Sequence, residues 1–133
     1  MRSLIVVADI PGLIPGAHKN RGLGIGFLRH IERCIAFLFI IDSSVYEPWL
    51  QLEALRDEID KYKSEMLRRP SAVIANKIDL PEGRDNLNQL QDCAARLELP
   101  FFAISAKDSI GIVPVLKHIR QRYDLVKENI DEN

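Results

Sequence analysis

Ala72-Val73-Ile74-Ala75-Asn76-Lys77-Ile78-Asp79 is the stretch that decides the fold. Four apolar residues follow one another without alternation and stop at an asparagine. A strand apolar on both faces belongs to a parallel sheet covered by helices on both sides. Three other runs read the same way. Leu4-Ile5-Val6-Val7-Ala8 stops at Asp9, the run over 35–41 stops at Asp42, and the run over 100–104 stops at Ser105. All four end on a polar residue at the C-terminal side, where open α/β sheets place their ligands. Helical stripes lie between them. Leu52, Leu55, Ile59, Tyr62 and Met66 step by three and four, with Pro48 suited to the first turn and Pro70 beyond the end. Leu87, Leu90, Ala94 and Leu97 repeat the stepping behind an N-cap at Asp85 or Asn86, and Ile112, Leu116, Ile119, Tyr123 and Val126 form a last helix. Phe27, Leu28 and Ile31 mark a shorter helix after a glycine-rich stretch. The alternation of strand and helix predicts an α/β fold with right-handed crossovers.

Composition narrows the function classes. The 133 residues are enough for one domain, and the 47% hydrophobic and 28% charged content is that of a globular chain. Eighteen basic residues against nineteen acidic give a net charge of −1, which excludes nucleic-acid binding by bulk charge. Cys34 and Cys93 stand far apart, so neither a CxxC metal cluster nor a disulfide scaffold is expected. The apolar start is too short for a signal peptide's core or a membrane span.

Three strand ends carry groups with chemistry. In Asp9-Ile10-Pro11-Gly12, an aspartate at a strand end can hold a Mg²⁺ water, and the glycine lets a backbone N–H approach a terminal phosphate. Alone, the same residues are a strand leaving through a Pro-Gly turn. In Asn76-Lys77-Ile78-Asp79, a carboxylate can accept two hydrogen bonds from guanine, one from the ring N–H and one from the amine. Adenine lacks that donor pair and leaves the carboxylate unpaired. The lysine stem can lie flat on a base, and the asparagine can tie loops together. Alone, this is equally a loop whose Asn and Asp cap nearby backbone. Ser105-Ala106-Lys107 can direct backbone N–H groups at a guanine oxygen, or simply lead into a helix.

In combination, the order D-x-x-G, N-K-x-D, S-A-K at successive strand ends resembles the third, fourth and fifth motifs of GTP-binding domains. The likeness runs from about Ser3 to Tyr123. Residues 9–14, Gly16-Ala17-His18, Gly22-Leu23-Gly24 and Phe27-Leu28-Arg29-His30-Ile31-Glu32-Arg33 resemble switch II of the Obg family, GTPases of large-ribosomal-subunit assembly. Arg21-Gly22-Leu23-Gly24, Glu47-Pro48-Trp49 and the stretch Ala75-Asn76-Lys77-Ile78-Asp79-Leu80-Pro81 are most similar to the mitochondrial branch of that family in animals.

The resemblance implies a small-GTPase-like P-loop NTPase G domain, a three-layer α-β-α fold with a mostly parallel sheet. It implies GTP or GDP with Mg²⁺ as ligands. Asp9 and Gly12 fall on the phosphate and magnesium side, with Asp9 toward the metal. Asn76, Lys77, Asp79, Ser105, Ala106 and Lys107 fall on the guanine side, and no residue is assigned catalysis. The implied partners are the guanine nucleotide and the large ribosomal subunit or its rRNA. The implied setting is mitochondrial, or otherwise cytoplasmic, with a monomeric chain and no transmembrane segment.

The sequence departs from the family pattern in one respect. No G-x-x-x-x-G-K-[ST] occurs, and the glycines at 12–16 and 22–26 do not supply one. The family's first strand, P-loop, first helix and switch I therefore have no counterpart in these residues. The expectation is an N-terminally truncated, partial OBG-type G domain over residues 1–127, with a polar tail over 128–133, catalytically deficient by itself. A non-catalytic fragment docking on a ribosomal partner and an unstable partial gene product are the alternatives. In the resembling fold the absent strand lies between the run ending at Asp9 and the run ending at Asp42, so those two must pair directly or leave edges open. Leu13 stands where many small GTPases place a water-orienting Gln, which implies slow hydrolysis without outside help. His18 and His30 lack ligand-spaced partners, Arg21, Arg29 and Arg33 read as a solvated face, and Trp49 as packing at a helix start.

Overall fold

Three of the four apolar runs pair. β1 (Phe37–Asp42), β2 (Ser71–Asn76) and β3 (Phe101–Ala103) form a parallel sheet in the order β1-β2-β3. The register sets Phe37 beside Ser71 and Asp42 beside Asn76, and Val73 beside Phe101. The polar C-terminal ends of the strands are thereby brought level. The computed structural model from which this architecture is drawn describes residues 4–8 and 24–132.

Among the described residues, six helical segments surround the sheet. They are α1 (Gly24–Glu32), α2 (Trp49–Tyr62), a 3₁₀ turn (Ser64–Arg68), α3 (Pro81–Asp85), α4 (Leu87–Arg96) and α5 (Ile112–Glu132). Side chains alternate across each strand, and both sets are apolar. Phe39, Ile41, Val73 and Ala75 join Leu52 and Ile59 of α2, Met66, and Leu90, Cys93 and Ala94 of α4 in one core, which also takes Ile31 of α1. Ile74 and Ile104 meet Val115 of α5 on the other face, with Leu38, Phe102, Ile112 and Ile119 against them. Helices therefore lie on both faces, as the unalternating runs predict.

The first run is the correction. Residues 4–8 form no strand, and Leu4, Val6 and Val7 are 89%, 90% and 70% exposed. A strand exists only through pairing, and among the described residues nothing offers this run a neighbour. It does not pair with β1. Among the described residues β1 is instead the sheet's edge, and its Ile40 is 62% exposed on the face toward α5.

Smaller differences have local causes. The stripe that reads as one helix through Met66 breaks at Lys63, whose backbone is extended, and Met66 reaches the core from the 3₁₀ turn. Asn86 stands at the N-cap of α4, but its amide does not cap that helix; it donates to the carbonyls of Ser43 and Val45 at 2.8 and 3.0 Å. Pro81 opens the short α3, a helix the periodicity does not show because it is only five residues long. α5 continues to Glu132, through the residues read as a polar tail. Trp49 packs against the core at the start of α2, and both cysteines are free.

α1 is pinned at its C-terminal end. Arg69 Nη1 donates to the carbonyls of Glu32 and Cys34, both at 2.6 Å, satisfying acceptors that a helix end leaves open. The Glu32 carboxylate accepts from Tyr62 Oη at 2.9 Å and Lys63 Nζ at 2.7 Å. Leu28 and Ile31 are buried beneath it.

Candidate functional site

The site is built from three loops that leave the C-terminal ends of the strands. β2 ends at Asn76, and the next residue, Lys77, has φ 75, the left-handed region that a non-glycine residue rarely occupies. Local contacts hold it there. Asn76 Oδ1 accepts from Lys77 N at 2.8 Å, and Leu80 N donates to the Lys77 carbonyl at 3.1 Å. Gly83 lies against that carbonyl so closely that an added Cβ would stand 2.1 Å from its oxygen. Only glycine fits the approach.

The loop after β3 is closed by a pair of hydrogen bonds. Ser105 N donates to the Ile110 carbonyl at 3.0 Å, and Ile110 N donates to the Ser105 carbonyl at 2.9 Å. The buried Ser105 hydroxyl accepts from Asp108 N at 3.1 Å and donates to Asp79 Oδ1 at 2.9 Å. Asn76 Oδ1 also accepts from Ala106 N at 3.0 Å. Two side-chain bridges therefore fasten the β2 loop to the β3 loop. Asn76, Asp79, Ser105 and Ala106 come together, with Lys77 and Lys107 exposed at the rim. Asp79 stays half-buried with a second oxygen and spare lone pairs beyond the one that Ser105 occupies.

The third loop follows β1. Asp42 Oδ2 receives Lys77 Nζ at 2.8 Å, while Oδ1 accepts from Ser44 N at 2.9 Å and Ser44 Oγ at 2.6 Å. Burial opposes ionisation of Asp42, but the hydrogen bonds from Lys77 and Ser44 outweigh it and hold the carboxyl below the ordinary aspartate value. The same contact raises Lys77 above the ordinary lysine value. Behind this pair, the buried Ser43 hydroxyl donates to the Gly83 carbonyl at 2.7 Å, and Ser43 N donates to the Asn76 carbonyl at 3.0 Å.

Asp42, Ser44, Gly83 and Asn86 escape the sequence reading as site residues. The signal for Asp42 is present, because β1 stops at a polar residue as the other strands do. What the sequence does not show is the register that carries Asp42 beside Asn76. Asp9 and Gly12, read as the phosphate and magnesium side, lie outside the described residues, as does Leu13. Among the described residues no group of three or more His, Cys, Asp or Glu could hold a metal ion. Also among them, no helix is long and apolar enough to cross a membrane.

Known proteins are similar to this chain over most of its length. "Mitochondrial ribosome-associated GTPase 2" of Homo sapiens and of Pongo abelii are each 48% identical to this chain over 124 residues, 93% of it. "GTPase Obg" of Persephonella marina is 38% identical over 127 residues, again 93% of the chain. The chain spans 30% of the length of the first two relatives and 37% of the third. These names agree with the resemblance drawn from the motifs. The profile of a family described as "50S ribosome-binding GTPase" matches residues 2–77, more than half of the chain, and ends on the Asn76-Lys77 pair. On that match, and with the motif order and parallel sheet already described, the chain belongs to the 50S ribosome-binding GTPase family.

Proposed function

We propose that these residues form the base-reading side of a guanine-nucleotide site in an Obg-type GTPase that works on the large ribosomal subunit, in mitochondria. The observation that carries the reading is the double bridge between the two loops, Asn76 to Ala106 and Asp79 to Ser105. It brings a carboxylate and the loop that carries the Lys107 N–H to one rim. Asp79 accepts from the ring N–H and the exocyclic amine of guanine, and the Lys77 stem covers the ring. Ala106 N–H, one of the donors assigned to the guanine oxygen, is engaged by Asn76, so Lys107 N–H, next along the loop, is the donor left for that oxygen. Adenine would leave the carboxylate unpaired, a penalty of about 1–3 kcal/mol.

GTP and GDP are the proposed ligands, with Mg²⁺ and the terminal phosphates on the side of Asp9 and Gly12. The ribosomal partner and the mitochondrial setting rest on the relatives' names, and a monomer is the proposed state. The 133 residues contain no P-loop motif, so by themselves they lack the nest of backbone donors and the lysine that compensate triphosphate charge. They are accordingly proposed to bind nucleotide weakly and to sustain no hydrolysis alone.

The test is nitrogen-15 NMR of the chain titrated with GDP, XDP and ADP. GDP should move the amide signals of residues 76–79 and 105–107, and ADP at equal concentration should not. Asp79→Asn should transfer the preference from GDP to XDP, because xanthine carries an oxygen where guanine carries the amine. Equal shifts with ADP, or an unchanged preference in Asp79→Asn, refute the reading. Phosphate release from saturating GTP and Mg²⁺ above background would refute the proposed lack of hydrolysis.

A further inference from the structure

The motif pattern singles out Asn76, Lys77 and Asp79 but not Asp42. We propose that Asp42 is a positioning residue of the base site: it anchors the Lys77 ammonium, so that the lysine stem stands as a fixed wall against a bound purine. The inference rests on the base-reading role proposed above.

Four observations carry it. The parallel register puts Asp42 beside Asn76, so its side chain lies within reach of the residue that follows Asn76. The ion pair closes at 2.8 Å. The carboxylate is itself clamped, since Ser44 holds its other oxygen through both N–H and hydroxyl. The lysine backbone is clamped too, at φ 75, by Asn76 Oδ1, by the turn to Leu80 and by the close approach of Gly83. An ordinary surface ion pair joins two mobile chains and does little. Here both ends are fixed before the charges meet.

The consequence for binding is preorganisation. A lysine carries its charge on a flexible four-carbon stem, and ordering that stem at the moment of binding costs affinity. With the ammonium held by Asp42, the stem is ordered in advance. Its CH₂ groups offer an apolar face that does not discriminate between purines, whereas Asp79 discriminates by hydrogen bonding. The two residues therefore have different signatures. Loss of Asp42 weakens GDP and XDP alike and leaves their ratio unchanged, and replacement of Asp79 changes the ratio.

A double-mutant cycle on the chain tests this, with GDP affinity read from the initial slope of the Lys107 amide shift against nucleotide concentration. Asp42→Asn removes the charge and keeps an oxygen for Ser44. It should weaken GDP binding about three- to fivefold, the scale of one well-placed ion pair. In a Lys77→Met background the same substitution should have no further effect. Equal losses in both backgrounds, no loss in the first, or a changed GDP-to-XDP ratio would overturn the inference. If Asp42→Asn does not fold, Ser44→Ala loosens the carboxylate without removing its charge. It should give a smaller loss, again absent with Lys77→Met, and unchanged affinity in the chain that keeps Lys77 would overturn the proposal. Without nucleotide, the Lys77 ε-carbon should titrate closer to the ordinary lysine value in Asp42→Asn than in the wild type. The base-reading role fails separately, if Asp79→Asn leaves the GDP-to-XDP preference unchanged.

Discussion

Asn76→Ala is the most informative single perturbation of the site. One side-chain oxygen accepts from two backbone donors, Lys77 N at 2.8 Å and Ala106 N at 3.0 Å. Alanine removes both bonds. Each is worth about 0.5–1.5 kcal/mol net, toward the low end where water can reach the freed N–H. Ala106 and Lys77 are exposed, so water can take over part of the loss. The removal also withdraws support from a backbone at φ 75, a conformation that costs about 1–2 kcal/mol in a residue with a Cβ. The expected loss of folding stability is therefore about 1–2 kcal/mol, read from the urea midpoint at unchanged m-value. Asn76→Asp keeps the accepting oxygen and should recover most of that loss. A deficit below about 0.3 kcal/mol in the alanine variant would show that the bridge does not hold the loops together, because one net hydrogen bond already exceeds it. Equal losses in the alanine and aspartate variants would refute the acceptor argument itself.

Three further outcomes follow from other features. Gly83→Ala would put a methyl 2.1 Å from the Lys77 oxygen and should cost about 2–4 kcal/mol, whereas Gly26→Ala, with nothing within 4 Å in α1, should stabilise by about 0.5–1 kcal/mol; urea melts of similar midpoint would refute the contrast. Arg69→Met deprives α1 of the guanidinium that accommodates its last carbonyls, so amides of residues 28–34 should exchange faster while those of β2 keep their protection; uniform change across both would point to a global effect. Asp42 titrates lower in the folded chain than in the unfolded one, so the stability it lends is present above the unfolded carboxylate value and lost as pH falls through the folded one. Wild-type urea midpoints should fall more steeply than those of Asp42→Asn between about pH 5 and pH 3, and parallel profiles would refute the linkage.

The legible parts of the fold are those where local pattern and tertiary need coincide. Val73, Ile74 and Ala75 are apolar without alternation because helices cover both faces, and the sequence shows that directly. The stripes of α2, α4 and α5 are legible for the same reason. Residues 4–8 look like the other strands by composition, yet pairing is a property of two segments, and no pattern within one of them reveals whether its neighbour is at hand. The Met66 break is similar, since a 3₁₀ turn can place a side chain where one more helical turn would have put it. At the site, Asn76, Asp79, Ser105 and Ala106 were legible from motif chemistry at strand ends, and the structure brings them together. Gly83 and Asn86 were not, because their roles are close approaches across loops more than 40 residues from Ser43 or packed under a single carbonyl.

The sheet order has a consequence for synthesis. Strands are laid down in the same sequence in which they neighbour one another, so β2 can dock on β1, and β3 on β2, as each leaves the ribosome. Each docking closes only the intervening chain, residues 43–70 and then 77–100, and closure entropy grows slowly with such lengths. The bridges that tie Asn76 to Ala106 and Asp79 to Ser105 must wait for the last strand to pass. A nascent chain halted before Ser105 would thus hold paired strands and a Lys77–Asp42 contact but no joined loops, and the closed loop cluster arrives in a single late step.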